Sequence, residues 1–243
     1  MVNNNFKLGR VHIVDERDKN YPLSTALPPT RLPDGARAHR YWWDSAWWGD
    51  QGPHPFCVAF AWMHFLEDGP TTHFYETRDF DPSYLNESRA EKHQPLFNTT
   101  TIYNEAQKID EWEGTDYDGT SVRAGAQVLR NLGVIAEYRW ASSIDEVVSA
   151  LLNLGPVVVG TWWYSDMFNP DKNGLITATG SKAGGHAYVL NGVNTKKKLF
   201  RIKNSWGSSW GRGGHAWISF DDFAKLLADQ GEACVAFEKR LGE

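Results

Sequence analysis

The sequence has only two cysteines, Cys57 and Cys234, among its 243 residues. Two thiols cannot build the multi-bridge framework of small secreted domains, so we expect a disulfide-free chain suited to a reducing compartment. A chain of this length buries roughly 70–75% of its unfolded surface, so it needs no disulfide or metal to hold its core together. The length fits one large domain or two intimate lobes.

Long apolar runs and a strong charge of one sign are also missing. No run approaches the ~20 apolar residues of a membrane span, and residues 1–7 lack the apolar segment of a signal peptide. We therefore expect a cytoplasmic protein with no membrane partner. The net charge of −5 gives no reason to expect nucleic acid. The one basic run, residues 196–198, is predicted to be a solvated turn.

Aromatic residues, by contrast, are plentiful. Four of the twelve tryptophans lie in residues 41–49, just ahead of Cys57. This run fits equally well a wall beside a site and simple core packing. Residues 1–40 are polar and rich in proline, which predicts an extended arm, with little helix, packed on the body.

Cys57 opens a nearly continuous apolar stretch over residues 57–66. A helix that is apolar on all sides is typical of a buried central helix. Pro53 and Pro55 precede the stretch and Gly69 follows it, which indicates where the helix begins and ends. Cys57 would then lie in the first helical turn, where the helix dipole favours a thiolate. A lone cysteine is more often a packed thiol, so this position needs partners to be a site.

The other elements follow from periodicity and from turn residues. We predict weaker helices over residues 81–91 and 102–112, and better ones over 122–132 and from a capping box at Ser143 to Leu154. We predict strands over residues 157–163, 186–193, 199–204, 215–220 and 232–237. Helices come first and strands second, which favours an α+β protein with a helical lobe and an antiparallel β lobe.

A histidine and an asparagine share one predicted hairpin. If the hairpin is centred on its polar turn at residues 194–198, His186 and Asn204 become cross-strand neighbours or nearly so. Directly opposite residues have Cβ atoms roughly 4.5–5.5 Å apart. The strand pattern therefore places an imidazole beside an amide.

These residues together suggest thiol chemistry. A cysteine nucleophile needs a base within reach, and the base needs an orienting group. Cys57 would be the nucleophile, His186 the base and Asn204 the group that orients the ring. Gln51 could donate to an oxyanion beside the backbone N–H of Cys57. Trp206 could shield the His186–Asn204 hydrogen bond from water.

Four sequence features resemble the papain/cathepsin-type cysteine peptidases: Gln51-Gly52, Cys57, Gly185-His186-Ala187 and the run Lys-Asn-Ser-Trp-Gly-Ser-Ser-Trp-Gly at residues 203–211. His186 lies 129 residues after Cys57 and Asn204 lies 147 after it, against ~130–150 in this family. The Asn-Ser-Trp-Gly-x-x-Trp-Gly pattern is highly specific, whereas an isolated cysteine or histidine is not.

The resemblance implies a papain-like two-lobed fold with the site in the cleft between the lobes. The arm, residues 1–40, would precede a catalytic domain of residues 41–243. About residues 50–135 would form the mainly helical lobe and 136–243 the mainly β lobe. The implied activity is peptide-bond hydrolysis through a Cys57 thioester, on a peptide or protein substrate, with no metal and no cofactor. The implied substrate-binding residues are Pro55, Phe56, Asp118, Gly119, Gly185 and Trp206.

The chain also departs from the family pattern. Pro55 and Phe56 precede the nucleophile where the family usually has glycine and serine, and His54 stands where the family has a disulfide cysteine. Two alternatives therefore stay open: an inactive binding or structural protein with this fold, and an acyl-transferase or ligase using the same site. Only 56 residues precede Cys57, so we do not expect regulation by a large pro-domain. Cys234 is predicted to be a core cysteine.

Overall fold

The computed structural model describes residues 6–13, 15–26, 39–42, 45, 47–69, 80–86 and 94–238. The α-helices among them are α1 Cys57–Asp68, α2 Thr99–Gln107, α3 Val122–Asn131, α4 Ile144–Asn153 and α5 Phe220–Ala228. The strands are β1 His39–Tyr41, β2 Ile135–Trp140, β3 Val157–Tyr164, β4 Leu175–Ile176, β5 Lys182–Asn194, β6 Leu199–Lys203, β7 His215–Ser219 and β8 Glu232–Glu238. No helix in these ranges is long and apolar enough to cross a membrane.

Helix α1 is the buried central helix that its composition predicts. All of its residues except Glu67 are buried. Trp62 donates from its indole nitrogen to the carbonyl oxygen of Val122, at 3.0 Å, which joins α1 to α3. At the other end, Asp68 forms a fully buried ion pair with Lys203 of β6, at 2.8 Å. The helix is thus tied to both halves of the molecule.

The helical lobe contains α2 and α3 beside α1. Asn98 and Ser121 cap the two helices by accepting from backbone N–H groups of their first turns, as N-cap residues do. The prediction for residues 122–132 is confirmed. Helix α2 begins earlier than predicted and ends at Gln107, because Asp110 beyond it accepts from the backbone of Trp112 and pulls the chain out of helical geometry.

The helix predicted from Asp81 is wrong over residues 81–86. These residues contain only one 3-10 turn, Pro82–Tyr84. Asp81 accepts from the backbone N–H of Ser83 and caps that turn, and Leu85 is already extended. Residues 87–91 of this prediction lie outside the described residues.

The β lobe is one eight-stranded sheet with the order β2-β8-β3-β5-β6-β7-β4, and β1 pairs with β5. All neighbours are antiparallel except β4 and β7, which are parallel. Helix α4 begins after Ser143, whose hydroxyl accepts from Glu146 N–H, as the capping box predicts. Strand β2 and helix α5 were not predicted. Helix α5 is capped in the same way by Ser219 through the N–H of Asp222.

The hairpin of β5 and β6 is not in the simplest predicted register. A bulge at Asn191 separates the pair Leu190–Ile202 from Gly192–Arg201, and the last paired residues are Val189 and Lys203. His186 and Asn204 are therefore not directly opposite each other. Asn204 lies immediately beyond β6 and reaches His186 with its side chain.

Two hydrophobic clusters form the cores of the lobes. Trp47 packs in the cluster around α1, and Trp42 packs in the cluster of the β lobe. Core packing is thus the correct interpretation for these two tryptophans. Trp43 lies outside the described residues. Cys234 is fully buried in β8, as predicted, and Cys57 and Cys234 are both free thiols.

The N-terminal arm packs on the body, but it contains more helix than predicted. Two 3-10 turns, Glu16–Asn20 and Leu23–Thr25, follow an extended segment at residues 6–13. The side chain of Arg123, on α3, is buried and forms ion pairs with Asp15 and Asp18 of the arm. This contact fixes the arm to the helical lobe.

Candidate active site

Cys57 is the first residue of α1, and its side chain is fully buried. Phe56 at the N-cap makes no side-chain hydrogen bond to the helix. The N–H groups of the first turn have no partner within the helix, and the helix dipole places positive potential there. The Cys57 sulfur also accepts from the backbone N–H of Ala187, at 3.4 Å. The Cys57 thiol of the helical lobe therefore lies next to strand β5 of the β lobe, which carries His186.

The hydrogen bonds of Asn204 determine the tautomer of His186. Oδ1 of Asn204 accepts from the backbone N–H of Ser205 at 2.8 Å, which identifies this atom as the amide oxygen. The same oxygen lies 2.8 Å from Nε2 of His186, so Nε2 must carry the proton. In the neutral ring Nδ1 is then the basic nitrogen. Nδ1 is buried and has no hydrogen-bond partner among the described residues.

Two tryptophans surround the imidazole. Trp206 stacks on His186 with ring centroids 4.7 Å apart, and Trp163 meets the ring edge-on at 4.9 Å. Both indoles are almost completely buried. They fix the plane of the ring and exclude water from its hydrogen bond with Asn204.

Gln51 contacts the arm at Lys7 and is held by Ser205. Its backbone N–H donates to the Ser205 carbonyl at 2.9 Å, and its Oε1 accepts from the Ser205 hydroxyl at 2.6 Å. Its amide nitrogen is thereby turned the other way, and donates to the carbonyl oxygens of His54 at 2.8 Å and of Lys7 at 3.0 Å. An oriented amide N–H of this kind can stabilise an oxyanion.

The thiol and the imidazole are both neutral in this conformation. Burial raises the pKa of Cys57 to about 11, although the backbone N–H groups of Ala187, Gly9 and Val58 act to lower it. Burial likewise lowers the pKa of His186 to about 4, against the opposing effect of its hydrogen bond with Asn204. Burial disfavours the charged form of each group.

The N-terminal arm is what covers these two groups. The backbone N–H groups of Gly9 and Arg10 donate to the Gly185 carbonyl, at 3.2 and 3.0 Å. On the other wall, Val11 N–H donates to the Thr120 carbonyl and Thr120 N–H donates to the Gly9 carbonyl, both at 3.0 Å. The arm thus pairs with the helical lobe on one side and with the β lobe on the other. It fills the cleft as an extended peptide.

Gly9 of the arm lies against Cys57 and the segment just before it. A Cβ atom at this position would lie 2.2 Å from the Pro55 carbonyl oxygen, so the arm fits only because residue 9 is glycine. Gly119 is also tightly packed, since a Cβ there would lie 2.5 Å from the Gly9 carbonyl oxygen. On one side of this point Phe6 stacks on Trp206 at 4.4 Å.

Most of the residues that the sequence singled out meet in this cleft. Asp118 forms an ion pair with Lys7 at 2.7 Å, and Gly185 and Trp206 contact the arm as described above. Gly119 is part of the cleft wall, but its own N–H donates to the Tyr103 hydroxyl at 2.8 Å. Thr120 therefore provides the backbone pairing with the arm instead. Phe56 is turned toward Tyr103, with ring centroids 4.5 Å apart. His54, which precedes Cys57 by three residues, is exposed.

Sequence reasoning missed two contributors to the cleft. One is Ser205, and the other is Glu232, whose Oε1 accepts from Nε of Arg10 at 2.9 Å. The backbone contact was expected at Gly119, and the neighbouring Thr120 makes it. The signal for Ser205 was its place beside Asn204. Glu232 carried none, because a charged residue at the start of a strand is ordinary. The arm itself was expected on the body, but nothing in its composition pointed to the cleft.

Comparison with known proteins agrees with this architecture. A model of the papain family cysteine proteases matches residues 96–230, which is more than half of the chain. The chain therefore belongs to the papain family. The matched region includes His186 and Asn204 and begins after Cys57.

Two curated relatives match shorter stretches. An uncharacterized peptidase C1-like protein of Acanthamoeba polyphaga mimivirus is 35% identical over 92 residues, which is 36% of this chain and 28% of that protein. A cysteine protease of Blomia tropicalis is 30% identical over 86 residues, which is 34% of this chain and 26% of that protein. Each match thus spans less than a third of the relative.

Solved structures extend the likeness to nearly the whole chain. Xylellain, a cysteine protease from Xylella fastidiosa, has a TM-score of 0.65 at 21% identity and covers 96% of both chains. Digestive procathepsin L2 of Tenebrio molitor has a TM-score of 0.57 at 16% identity, over 96% of this chain and 78% of the other. The chain has the papain-like fold of these proteins.

Proposed function

We propose that this protein is a cysteine peptidase that hydrolyses peptide bonds through a thioester on Cys57. The observation that carries the proposal is the state of His186: Asn204 holds Nε2, and Nδ1 is left as a buried base without a partner among the described residues. The thiol of Cys57 lies beside the same strand. A nucleophile, its base and an orienting group are the set that thiol acyl transfer requires.

The proposed reaction has two halves. The Cys57 thiol gives its proton to Nδ1 of His186, and the thiolate attacks the scissile carbonyl carbon. The oxyanion accepts from the Gln51 amide and from the backbone N–H of Cys57. The C–N bond then breaks, and His186 protonates the departing amine. In the second half His186 takes a proton from water, the resulting hydroxide attacks the thioester, and the product leaves as a carboxylic acid while the thiol re-forms.

With the arm in the cleft, the chain is a latent form of such an enzyme. Gly9 and Arg10 occupy the cleft, and the carbonyl oxygen of Lys7 already accepts from Gln51 where an oxyanion would accept. A substrate can reach Cys57 only after the arm leaves. Water then enters the cleft, the effect of burial on Cys57 and His186 weakens, and their thiolate–imidazolium form becomes accessible.

The proposal can be tested with the full chain in three forms: wild type, Gly9→Val and Cys57→Ala. Gly9→Val places a side chain against the Pro55 carbonyl and should expel the arm. We expect the Gly9→Val protein to cleave fluorogenic peptides faster than wild type and Cys57→Ala to show no turnover. Cys57 should also react with iodoacetamide faster than the buried Cys234, as read by mass spectrometry.

Two results would overturn the proposal. One is the absence of turnover in the Gly9→Val protein together with a Cys57 no more reactive than Cys234. The other concerns the fate of the acyl group when an amine nucleophile is added. If mass spectrometry finds the amide rather than the carboxylic acid as the main product at low amine concentration, the protein is an acyl-transferase and not a peptidase.

A further inference from the structure

The cleft wall on the side of the helical lobe offers main-chain groups to the chain that lies in the cleft. Thr120 donates its N–H to the Gly9 carbonyl and accepts from the Val11 N–H at its own carbonyl, both at 3.0 Å. A residue that gives both backbone groups to a ligand contributes little to holding its own loop. The neighbouring Gly119 has a φ of +105°, which a residue with a side chain rarely adopts. Residues 117–120, which we call the wall loop, therefore need support from outside the loop.

Helix α2 provides part of this support. Gln107, the last residue of the helix, donates from Nε2 to the carbonyl oxygens of Tyr117 at 2.8 Å and Gly119 at 3.1 Å. The hydroxyl of Tyr103 accepts from the Gly119 N–H at 2.8 Å. Tyr103 and Gln107 are one helical turn apart, so they project from the same face of α2, and both are buried. The helix thus holds both backbone groups of Gly119, as the arm holds both of Thr120.

Asp110, just beyond α2, provides the rest of the support. Its Oδ2 accepts from the Thr120 hydroxyl at 2.7 Å, and its Oδ1 accepts from the Tyr117 hydroxyl at 2.5 Å. Hydrogen bonds to a carboxylate are shorter and stronger than those between neutral groups. One carboxylate thereby joins the two ends of the wall loop. Thr120 is fully buried, with its side chain bonded to Asp110 and its main chain bonded to the arm.

A peptide substrate would meet the wall loop through its main chain. The two backbone hydrogen bonds of Thr120 go to main-chain groups of the arm, which peptides share whatever their side chains. Hydrogen bonds weaken steeply as their geometry departs from the optimum, so a small displacement of the loop would weaken both. These bonds form when the peptide binds and persist through the reaction, and an interaction of this kind acts on KM rather than on kcat. The support of the wall loop should therefore act on peptide binding.

We propose that Gln107 and Asp110 are positioning residues for the peptide substrate, because they fix the wall loop so that both main-chain groups of Thr120 face the cleft. This inference rests on the proposed peptidase function for its substrate meaning. Neither residue belongs to the set that carries out bond cleavage, and each acts through Thr120. If the two side chains served only the folding of the helical lobe, their loss would lower stability without a selective effect on peptide binding.

The first experiment measures cleavage by the full chain carrying Gly9→Val, with Gln107→Leu or Asp110→Ala added. We expect either change to raise KM at least about fivefold, since two hydrogen bonds to the peptide are weakened, while kcat changes less than about twofold. Asp110→Asn, which keeps one acceptor oxygen, should recover part of the loss. The matched control is Asn104→Leu, which replaces an exposed amide of the same helix by leucine and should leave KM unchanged.

The reactivity of Cys57 checks that these variants keep an intact site. Iodoacetamide is small enough to reach the thiol without help from the wall loop, so its rate should equal that of the Gly9→Val protein alone. A variant that fails this check is misfolded, and Asp110→Asn then carries the test.

The second experiment needs no turnover. A labelled peptide with the sequence of residues 6–12 is titrated into the full chain carrying Gly9→Val and Cys57→Ala, and fluorescence polarisation gives its Kd. A second peptide carries an N-methyl group on Val11 and so lacks the N–H that donates to the Thr120 carbonyl. We expect the N-methyl peptide to bind roughly fivefold more weakly, which is the effect of one hydrogen bond.

The ratio of the two Kd values reports on the position of Thr120. It should shrink toward one when Gln107→Leu or Asp110→Ala is added, because a displaced wall loop no longer receives the Val11 N–H, and contacts that depend on each other are not additive. Asn104→Leu should keep the ratio. A general loss of stability would not move it.

The outcomes separate this inference from the proposed function. An unchanged KM in both variants, or a loss confined to kcat, overturns the inference and leaves the peptidase intact. Equal binding of the two peptides by the unaltered wall loop, or a ratio that survives Gln107→Leu and Asp110→Ala, overturns it as well. A ratio that depends on both residues, without any cleavage by the Gly9→Val protein, overturns the peptidase and keeps the positioning role.

Discussion

Oδ1 of Asn204 lies 2.8 Å from Nε2 of His186. The same oxygen accepts from the backbone N–H of Ser205, which prevents the amide from turning its nitrogen toward the ring. The asparagine is therefore a fixed acceptor, and it keeps the proton of the neutral imidazole on Nε2. The other nitrogen, Nδ1, has no hydrogen-bond partner among the described residues, and in the proposed mechanism it takes the proton of the thiol.

Asn204→Ala should lower kcat by roughly 10- to 10²-fold, because the ring loses its fixed tautomer but keeps its base. The loss should be smaller than the 10²–10⁴-fold typical of removing a general base outright. The measurement is kcat in the Gly9→Val background, with its pH profile. We expect the KM for peptide to change little. An unchanged kcat and pH profile would contradict the role of Asn204.

Ser205→Ala should act through Gln51. The Ser205 hydroxyl holds Oε1 of Gln51 at 2.6 Å, and without it the amide is free to turn its nitrogen away from the oxyanion. Removing one oxyanion donor typically costs about 10²–10³ in kcat, so we expect that loss for Gln51→Ala and a smaller one for Ser205→Ala.

A double-mutant cycle checks this pathway. If Ser205 acts on catalysis through Gln51, the double variant should be no slower than Gln51→Ala alone, since interacting residues are not additive. Two losses that simply multiply would show that the Ser205 hydroxyl acts independently of Gln51.

The sequence predicted the members of the site better than their arrangement. Helix α1 was predictable because a nearly continuous apolar run is stable only in the buried core. The proximity of His186 and Asn204 was predictable because strand alternation brings the two ends of a hairpin together. The register was not predictable, because the bulge at Asn191 is held by distant partners. Its side chain donates to Asp68 at 3.0 Å and accepts from Arg201 at 2.9 Å.

The closed cleft could not be predicted from the sequence, for a similar reason. In the sequence, Gly9 cannot be told from any flexible glycine, and Arg10 cannot be told from a surface charge. Only the folded chain brings the Pro55 carbonyl against Gly9 and Glu232 against Arg10. Both contacts join residues that are far apart in sequence, and local pattern carries no information about them. Helix α5 is a different case, since its N-cap residue, Ser219, is a local signal in the sequence.

Arg10→Ala should open the cleft. Truncating one partner of a buried ion pair costs about 2–5 kcal/mol, which raises the fraction of open molecules at least roughly tenfold. We expect Cys57 to react with iodoacetamide faster by a similar factor at pH 7, followed by mass spectrometry. Arg17→Ala is the matched control: Arg17 is an exposed arginine of the same arm, and it pairs with Asp15 at the surface.

Equal Cys57 reactivity in the wild type, Arg10→Ala and Gly9→Val proteins would show that the arm does not control access to the thiol. Faster reaction in the Arg17→Ala control would show that any weakening of the arm suffices. In that case the ion pair between Arg10 and Glu232 would not be the main anchor of the arm.

The burial of His186 should make the stability of the protein depend on pH. The pKa of His186 is lowered from its ordinary 6.5 to about 4, chiefly by burial, so between these values the unfolded chain binds a proton that the folded chain does not. The contribution of His186 is therefore fully present above pH 6.5 and is lost as the pH falls toward 4. A pKa change of this size corresponds to about 3 kcal/mol in the free energy of unfolding.

The free energy of unfolding, measured in urea at pH 7.0 and pH 4.5, provides the test. Wild type should lose more stability over this interval than His186→Gln, which keeps a polar side chain but has no proton to bind. Carboxyl groups whose pKa is raised by burial, such as those of Asp18 and Glu111, are present in both proteins, so their effect cancels in the difference. If both proteins lose the same stability, His186 is accessible to protons in the folded state, and the arm does not seal the cleft.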